Sequence, residues 1–329
     1  ALLHAGGALL SPNLPEEGGD SLRVGVVQGN IDQGQKWDAG RLEETLAVYL
    51  EGSREAVRRG AEIVIWPETA VPGLVEADGV LAAQISRLAG ELATPLVVGG
   101  VGVEGLDEAR AGDPGALRYF DSAFLVQADG SIGERYDKSH LVPFGEYVPL
   151  RSLIGRFVSA VASGATSGDV TPGEAPRALR IPRAGGNELS IGVPICYELL
   201  FPDLVRRFAK DGATVLAGIT NDAWYGKTGA PYQFLAITAL RAAESGVWLV
   251  RAANTGVSAL IDPTGRVEQQ TGLFERGVLV GSVFPRPSAW PTTLYARFGD
   301  VFVAGCALVL SVPALRGLRR RRRGAAGDG

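Results

Sequence analysis

Short apolar runs rich in β-branched residues alternate along this chain with longer stretches of helical periodicity. Leu22–Gln28 (LRVGVVQ), Ala61–Trp66 (AEIVIW), Pro95–Val103, Thr214–Thr220 (TVLAGIT), Trp248–Arg251, Val257–Asp262 and Val278–Val283 read as buried strands. So does the run Leu189, Ile191, Val193, Ile195 that leads directly into Cys196. Helical spacing runs through Ala39–Arg59, Val80–Leu92, Leu199–Lys210 and Pro231–Glu244. Tyr119–Val126 and Ile132–Tyr136, joined at Ala128-Asp129-Gly130, form a hairpin. Alternation interrupted by hairpins predicts an α/β fold whose mixed sheet is covered by helices.

The two ends differ from this middle. Ala1–Leu10 is apolar and too short to cross a bilayer; it is either the tail of a longer membrane helix or a loose terminus. Ser11–Asp20 is a linker. The chain opens on Ala1 and holds no methionine, so a further N-terminal part is expected. Arg151–Arg180 is long, rich in glycine and weakly patterned, as lids and binding loops are. Near the other end, Phe298–Leu318 would reach about 31 Å as a helix, close to the thickness of a hydrocarbon core. Trp290, Tyr295 and Arg297 precede it, and Arg319–Arg323 follow. These flanks predict a membrane span with the arginines on the cytoplasmic side and everything before Trp290 on the outer face. The alternative is an amphipathic core helix with a basic tail.

Composition narrows the chemistry. A net charge of −4 argues against a nucleic-acid partner. Cys196 and Cys306 form no disulfide framework, and the chain's 2 histidines lack metal-ligand spacing, so neither a metal nor another cofactor is expected.

Three groups come directly after predicted strands: Glu68, Lys138 and Cys196. A cysteine between a strand and a helix sits on a sharp elbow, where backbone N–H groups and the helix dipole favour the thiolate. Strand ends converge on one rim, so groups far apart in sequence can meet there. Singly, each has an ordinary explanation: a small core side chain, a surface acid, a solvated lysine. Together, the carboxylate can take the thiol proton, the thiolate can attack a carbonyl, and the ammonium can stabilise the oxyanion. His140, beside Lys138, belongs to no recognisable Cys–His pattern.

These residues resemble the Glu–Lys–Cys triad of the nitrilase (carbon–nitrogen hydrolase) superfamily: Glu68 in WPE, Lys138 in YDKSHLVPFGEYVP and Cys196 in ICYE. VQGNIDQGQKWD (Val26–Asp38), LVPFGEYVPL (Leu141–Leu150) and YARFGD (Tyr295–Asp300) are similar, more narrowly, to the apolipoprotein N-acyltransferase branch. The likeness runs from about Val24 to the C-terminus. It implies an αββα sandwich of two sheets between helices, on the outer face of the bacterial inner membrane. By the same likeness a bundle of membrane helices precedes the chain. The implied organisation is an end of membrane segment and linker over residues 1–20, a catalytic domain over 21–288, and a transmembrane helix with a basic tail over 289–329.

Carried over residue by residue, the resemblance implies Glu68 as general base, Cys196 as acylated nucleophile and Lys138 as oxyanion stabiliser. Glu146 matches a second essential glutamate, Trp37 a residue of the substrate-side loop, and Tyr197 and Glu198 the pair after the nucleophile. Glu146 and Glu198 could equally orient Lys138 or cap the helix after the elbow. Phe234 stands where the family commonly has histidine. The implied reaction is ping-pong transfer of an acyl chain from a membrane phospholipid, through a Cys196 thioester, to the α-amino group of a diacylglyceryl-lipoprotein, by a monomer. Leu153, Ile154, Phe157 and Val158 would dip into lipid. The alternatives are a nitrilase-type amidase and a non-catalytic, membrane-tethered lipoprotein binder.

Overall fold

The computed structural model describes residues 21–36, 39–149, 170–183, 188–287, 293–311 and 313. Its strands are β1 (Leu22–Gln28), β2 (Ile63–Ile65), β3 (Val71–Leu74), β4 (Leu96–Glu104), β5 (Arg118–Val126), β6 (Ile132–Asp137), β7 (Leu179–Pro182), β8 (Glu188–Gly192), β9 (Val215–Thr220), β10 (Leu249–Ala253), β11 (Ala259–Ile261), β12 (Val267–Gln270) and β13 (Gly277–Val283). The longer helices are α1 (Leu42–Arg58), α2 (Gly79–Leu92), α3 (Pro202–Lys210) and α4 (Ala230–Ser245). Periodicity alone predicted one mixed sheet; there are two. One runs β13-β1-β2-β4-β5-β6, with β3 also on β4, and the other runs β12-β11-β10-β9-β8-β7.

Period-2 alternation explains the layering. In the first sheet Val24, Val26, Ile63, Ile65, Val97, Ala123 and Leu125 join one core, shared with Ile191, Val215, Val250 and Leu260 of the second sheet. The alternate residues Val27, Val64, Leu96, Val98 and Phe124 join another, against Leu46 and Tyr49 of α1 and Leu81, Ile85 and Leu88 of α2. On the far side, Val205 and Phe208 of α3 and Phe234 and Ala242 of α4 cover the second sheet. The result is the four-layer αββα sandwich. The central strands β1, β2, β4 and β8, β9, β10 pair parallel, and being covered on both faces they are nearly all apolar.

A polar seam joins the sheets at their C-terminal rims. Asn30 N donates to Asn254 O at 2.9 Å, just beyond β1 and β10. Gln28 is wholly buried; its Oε1 accepts from Ser258 Oγ at 2.6 Å and Thr271 Oγ1 at 2.8 Å, and its Nε2 donates to Gly272 O and Glu275 O.

Several expected boundaries move. β3, β7 and β12 are short, polar or proline-bearing and carry no periodic signal. The helix expected from Leu199 begins at Pro202, because Cys196–Leu200 forms a 3-10 turn. A span starting at Phe298 is not what forms: the helix Leu294–Phe298 ends at Gly299, whose φ of +70° breaks it, and residues 301–311 make a separate helix. Among the described residues no helix is long and apolar enough to cross a membrane. Residues 301–311 would reach only about 16 Å. Ala1–Asp20, Trp37, the residues expected to dip into lipid (Leu153, Ile154, Phe157 and Val158), Trp290 and Arg319–Arg323 lie outside the described residues.

Candidate active site

Cys196 follows β8 through Val193-Pro194-Ile195, where Ile195 makes a parallel bridge to Ile219 of β9. Its φ of +48° is unusual for a residue with a side chain, and marks strain held in place by its surroundings. Glu198 supplies much of that hold. Its Oε2 accepts from Ile195 N at 2.8 Å, and its Oε1 accepts from Tyr136 Oη and Ser139 N at 2.7 Å and from Ser139 Oγ at 2.9 Å. One buried carboxylate thus ties the cysteine turn to the segment just after Lys138. The Tyr197 ring packs with Phe201 (centroids 5.2 Å apart) and stacks on His140 (5.9 Å).

Lys138 emerges from the end of β6 with no solvent exposure. Its Nζ lies 3.1 Å from Glu68 Oε1, 3.2 Å from Asp121 Oδ2 and 2.5 Å from Glu146 Oε1. Those three carboxylates would suit a cation, and the Lys138 ammonium is the cation bound to all of them. Glu146 is also fixed from the other side, its Oε2 accepting from Val142 N at 2.9 Å. Glu68 reaches the site from the turn after β2 and hydrogen-bonds the Cys196 side chain. That turn rests on β4: a Cβ on Gly99 would lie 2.0 Å from Pro67 O, so only glycine lets the backbones approach this closely. Lys36, from the one-turn helix Gln33–Lys36, donates to Glu68 O at 3.2 Å and to Thr69 Oγ1 at 2.6 Å. It pins a turn in which Thr69 has φ +43°.

Residues 23–286 match the model of the carbon–nitrogen hydrolase family. The chain belongs to that family. It is 40% identical over 306 residues to the apolipoprotein N-acyltransferase of Geobacter metallireducens, covering 93% of this chain and 55% of that protein. It is 36% identical over 304 residues to the apolipoprotein N-acyltransferase of Pseudomonas paraeruginosa, with 92% and 55% covered. The chain therefore spans about half the length of the curated relatives it matches. Among solved structures, an amidase from Nesterenkonia sp. AN1, with the acetamide moiety of fluoroacetamide on its active-site cysteine, superposes with a TM-score of 0.57. That pair shares 21% identity over 84% of this chain and 93% of the amidase, a likeness of fold.

The electrostatics of the site run against the elbow's expected bias toward the thiolate and agree with a thiol whose proton Glu68 can take. Burial, then the neighbouring Glu68, pushes the Cys196 thiol well above its ordinary pKa. Lys138 and the backbone N–H of Asn221, bonded to the sulfur, oppose this without reversing it. The helix expected to assist begins only at Pro202, and a macrodipole acts over its first turn. Cys196 therefore rests as the thiol and must lose its proton during attack. Burial also raises Glu68, but Lys138, hydrogen bonds from Asp121 and Cys196, and Lys36 outweigh it and leave the pKa lowered. Burial pulls Lys138 down, yet Glu68, Asp121, Cys196 and Glu146 together hold it well above the ordinary value. An ionised carboxylate beside a neutral thiol, with a permanent ammonium alongside, can accept a proton and stabilise a nascent oxyanion.

The structure thus brings Glu68, Lys138, Glu146 and Cys196 into one buried site, with Glu198 beneath the turn. Phe234 is buried, with the Arg251 guanidinium over its ring at 5.5 Å and Tyr225 beside it, so the departure from histidine sits in the second sheet's covering layer. Sequence reasoning missed Lys36, Asp121 and the pair Asp222–Arg251. The last two are wholly buried and 2.7 Å apart, and Asp222 carries the turn whose Asn221 N–H meets Cys196. A signal existed: Asp121 and Arg251 are charges in the interior of mostly apolar strands, RYFDSAFLV and LVRAA.

Proposed function

We propose that this member of the carbon–nitrogen hydrolase family is the catalytic part of an apolipoprotein N-acyltransferase. Glu68 takes the proton of Cys196 as the sulfur attacks the ester carbonyl of a membrane phospholipid. The tetrahedral oxyanion is stabilised by the Lys138 ammonium and a backbone N–H. Collapse expels the lysophospholipid alkoxide, which takes the proton back from Glu68 and leaves a thioester on Cys196. The α-amino group of a diacylglyceryl-cysteine at a lipoprotein N-terminus then attacks that thioester and loses a proton to Glu68. An amide forms, and the thiol is regenerated. Glu146 holds Lys138 in place, and Trp37 and Tyr197 belong to the substrate side.

The observation that carries this reading is the identity of 35–40% over about nine-tenths of the chain with proteins named for that activity. The likeness to the amidase is weaker and is one of fold. Residues 21–288 form the catalytic domain. Residues 301–310 are all exposed, Val301, Phe302, Leu308, Val309 and Leu310 among them, and a helix apolar on every side favours lipid over water. With Arg319–Arg323 beyond it, that helix is read as the start of a membrane anchor, the domain lying on the outer face of the inner membrane.

The test is mass spectrometry of the protein, with any preceding membrane segment restored, after incubation with phospholipid vesicles. An acyl mass on Cys196, stable in water and discharged by a diacylated peptide amine, is the expected result. No adduct, or rapid loss to water, refutes the transferase in favour of a binder or a hydrolase.

A further inference from the structure

Asp121 has no role in the reaction just described, yet it sits at the centre of the site. It projects from the middle of β5 and is nearly as buried as Glu68, at 7% and 6% exposure. Glu68, Lys138 and Glu146 face it directly. Lys36 adds a second positive charge nearby, but its Nζ is bonded to Glu68 O and Thr69 Oγ1 rather than to any carboxylate. The Lys138 ammonium has three N–H bonds, and each is committed to a different carboxylate. Three carboxylates around one ammonium would leave uncompensated negative charge in a buried space, which is relieved by holding a proton.

The hydrogen bonds say where that proton sits. Glu146 has a donor on each oxygen, Lys138 on one and Val142 N on the other. Glu68 takes Lys138 and faces Cys196. Asp121 takes Lys138 on Oδ2, while its buried Oδ1 has no donor among the described residues. A bare carboxylate oxygen sealed from water and from every donor is costly; an O–H there is not.

We infer that Asp121 is held as the neutral carboxylic acid and hydrogen-bonds to the Glu68 carboxylate, fixing that group as the ionised base facing Cys196. Asp121 is then a positioning residue. Its ammonium contact and its own O–H orient Glu68, and the thiol proton passes from Cys196 to Glu68 while the Asp121 proton stays in place. The shifts agree in sign: burial and the adjacent Glu68 carry Asp121 well above the ordinary carboxyl range, and Glu68 lies below it.

With Glu68 and Cys196 in the roles proposed above, the test has two arms that need no lipid substrate. First, infrared spectra of protein labelled with 13C-aspartate should contain a protonated-carboxylic-acid band at pH 7 that Asp121→Asn removes. Second, iodoacetamide alkylation of Cys196, followed peptide by peptide so that Cys306 is counted separately, should slow about tenfold in Asp121→Ala, the size of one lost hydrogen bond to a charged group. Asp121→Asn, still neutral and able to donate to Glu68 and accept from Lys138, should recover most of that loss. Absence of an acid band that D121N removes overturns the inference. So does D121N alkylation as slow as that of D121A. If E68Q leaves alkylation unchanged while D121N still removes the band, the base assignment fails and the neutral Asp121 stands. Thermal melts check that each variant is folded, and the band of the unsubstituted protein needs no such check.

Discussion

Replacing Gly99 by alanine moves Glu68 without altering its chemistry. The added Cβ would lie 2.0 Å from Pro67 O, 2.8 Å from Pro67 C and 2.9 Å from Glu68 Cα. All three are backbone atoms, so no flexible side-chain end can swing away. Ordinary contact begins near 3.4 Å, and 3.4 − 2.0 leaves 1.4 Å for β4 and the turn to give between them. Overpacking of that kind costs about 1–3 kcal/mol, several degrees of melting temperature for a domain of this size. The larger effect is on chemistry. Glu68 meets Lys138 at 3.1 Å and also bonds Cys196, and a displacement of roughly 1 Å at a reacting group costs on the order of 100-fold in rate. The assay is alkylation of Cys196 by iodoacetamide alongside a thermal melt. Gly79→Ala is the control, since its Cβ meets nothing within 4 Å and it begins α2, far from the site in role. G99A should lose rate far beyond its loss of stability. If G99A alkylates within twofold of G79A, the idea that this close approach aims Glu68 is wrong.

Three further outcomes rest on other buried groups of the same structure. Burial depresses Lys36 from 10.5 to about 8, so between those values the unfolded chain binds the extra proton and stability should rise with pH; the gain is on the order of 3 kcal/mol. Urea midpoints measured from pH 7.5 to 10.5 should climb more steeply in the unsubstituted protein than in Lys36→Met, and equal slopes would refute it. Glu198→Ala strands the Ile195 and Ser139 N–H groups and should destabilise by about 3 kcal/mol or more while silencing Cys196; a melting temperature within a degree of the parent would show the turn is held otherwise. Arg251→Met leaves Asp222 as an unpaired buried charge, a loss of about 3–5 kcal/mol, and adding Asp222→Asn should restore part of it in the same denaturation assay; no recovery would mean the cost is packing against Phe234.

Local sequence carried the strand runs, the αβ alternation and the three groups after strands, because period and turn chemistry act over a few residues. LRVGVVQ and TVLAGIT read as buried strands and form them, as β1 and β9. The motif around Cys196 was legible for the same reason, as was its likeness to a family. Local pattern could not say that the strands divide into two sheets, since that depends on which edges pair across hundreds of residues. It expected the elbow to bias Cys196 toward the thiolate, where burial and Glu68 push the other way. It passed over Asp121 and Lys36, whose meaning comes only from neighbours distant in the chain. It let a span begin at Phe298 that the backbone at Gly299 interrupts. Charge states and buried partnerships are properties of a three-dimensional environment, summed over groups that a linear reading never sees side by side. The chain alone determined its elements and its reactive groups; the tertiary structure decided which of those groups are charged, which are held, and by what.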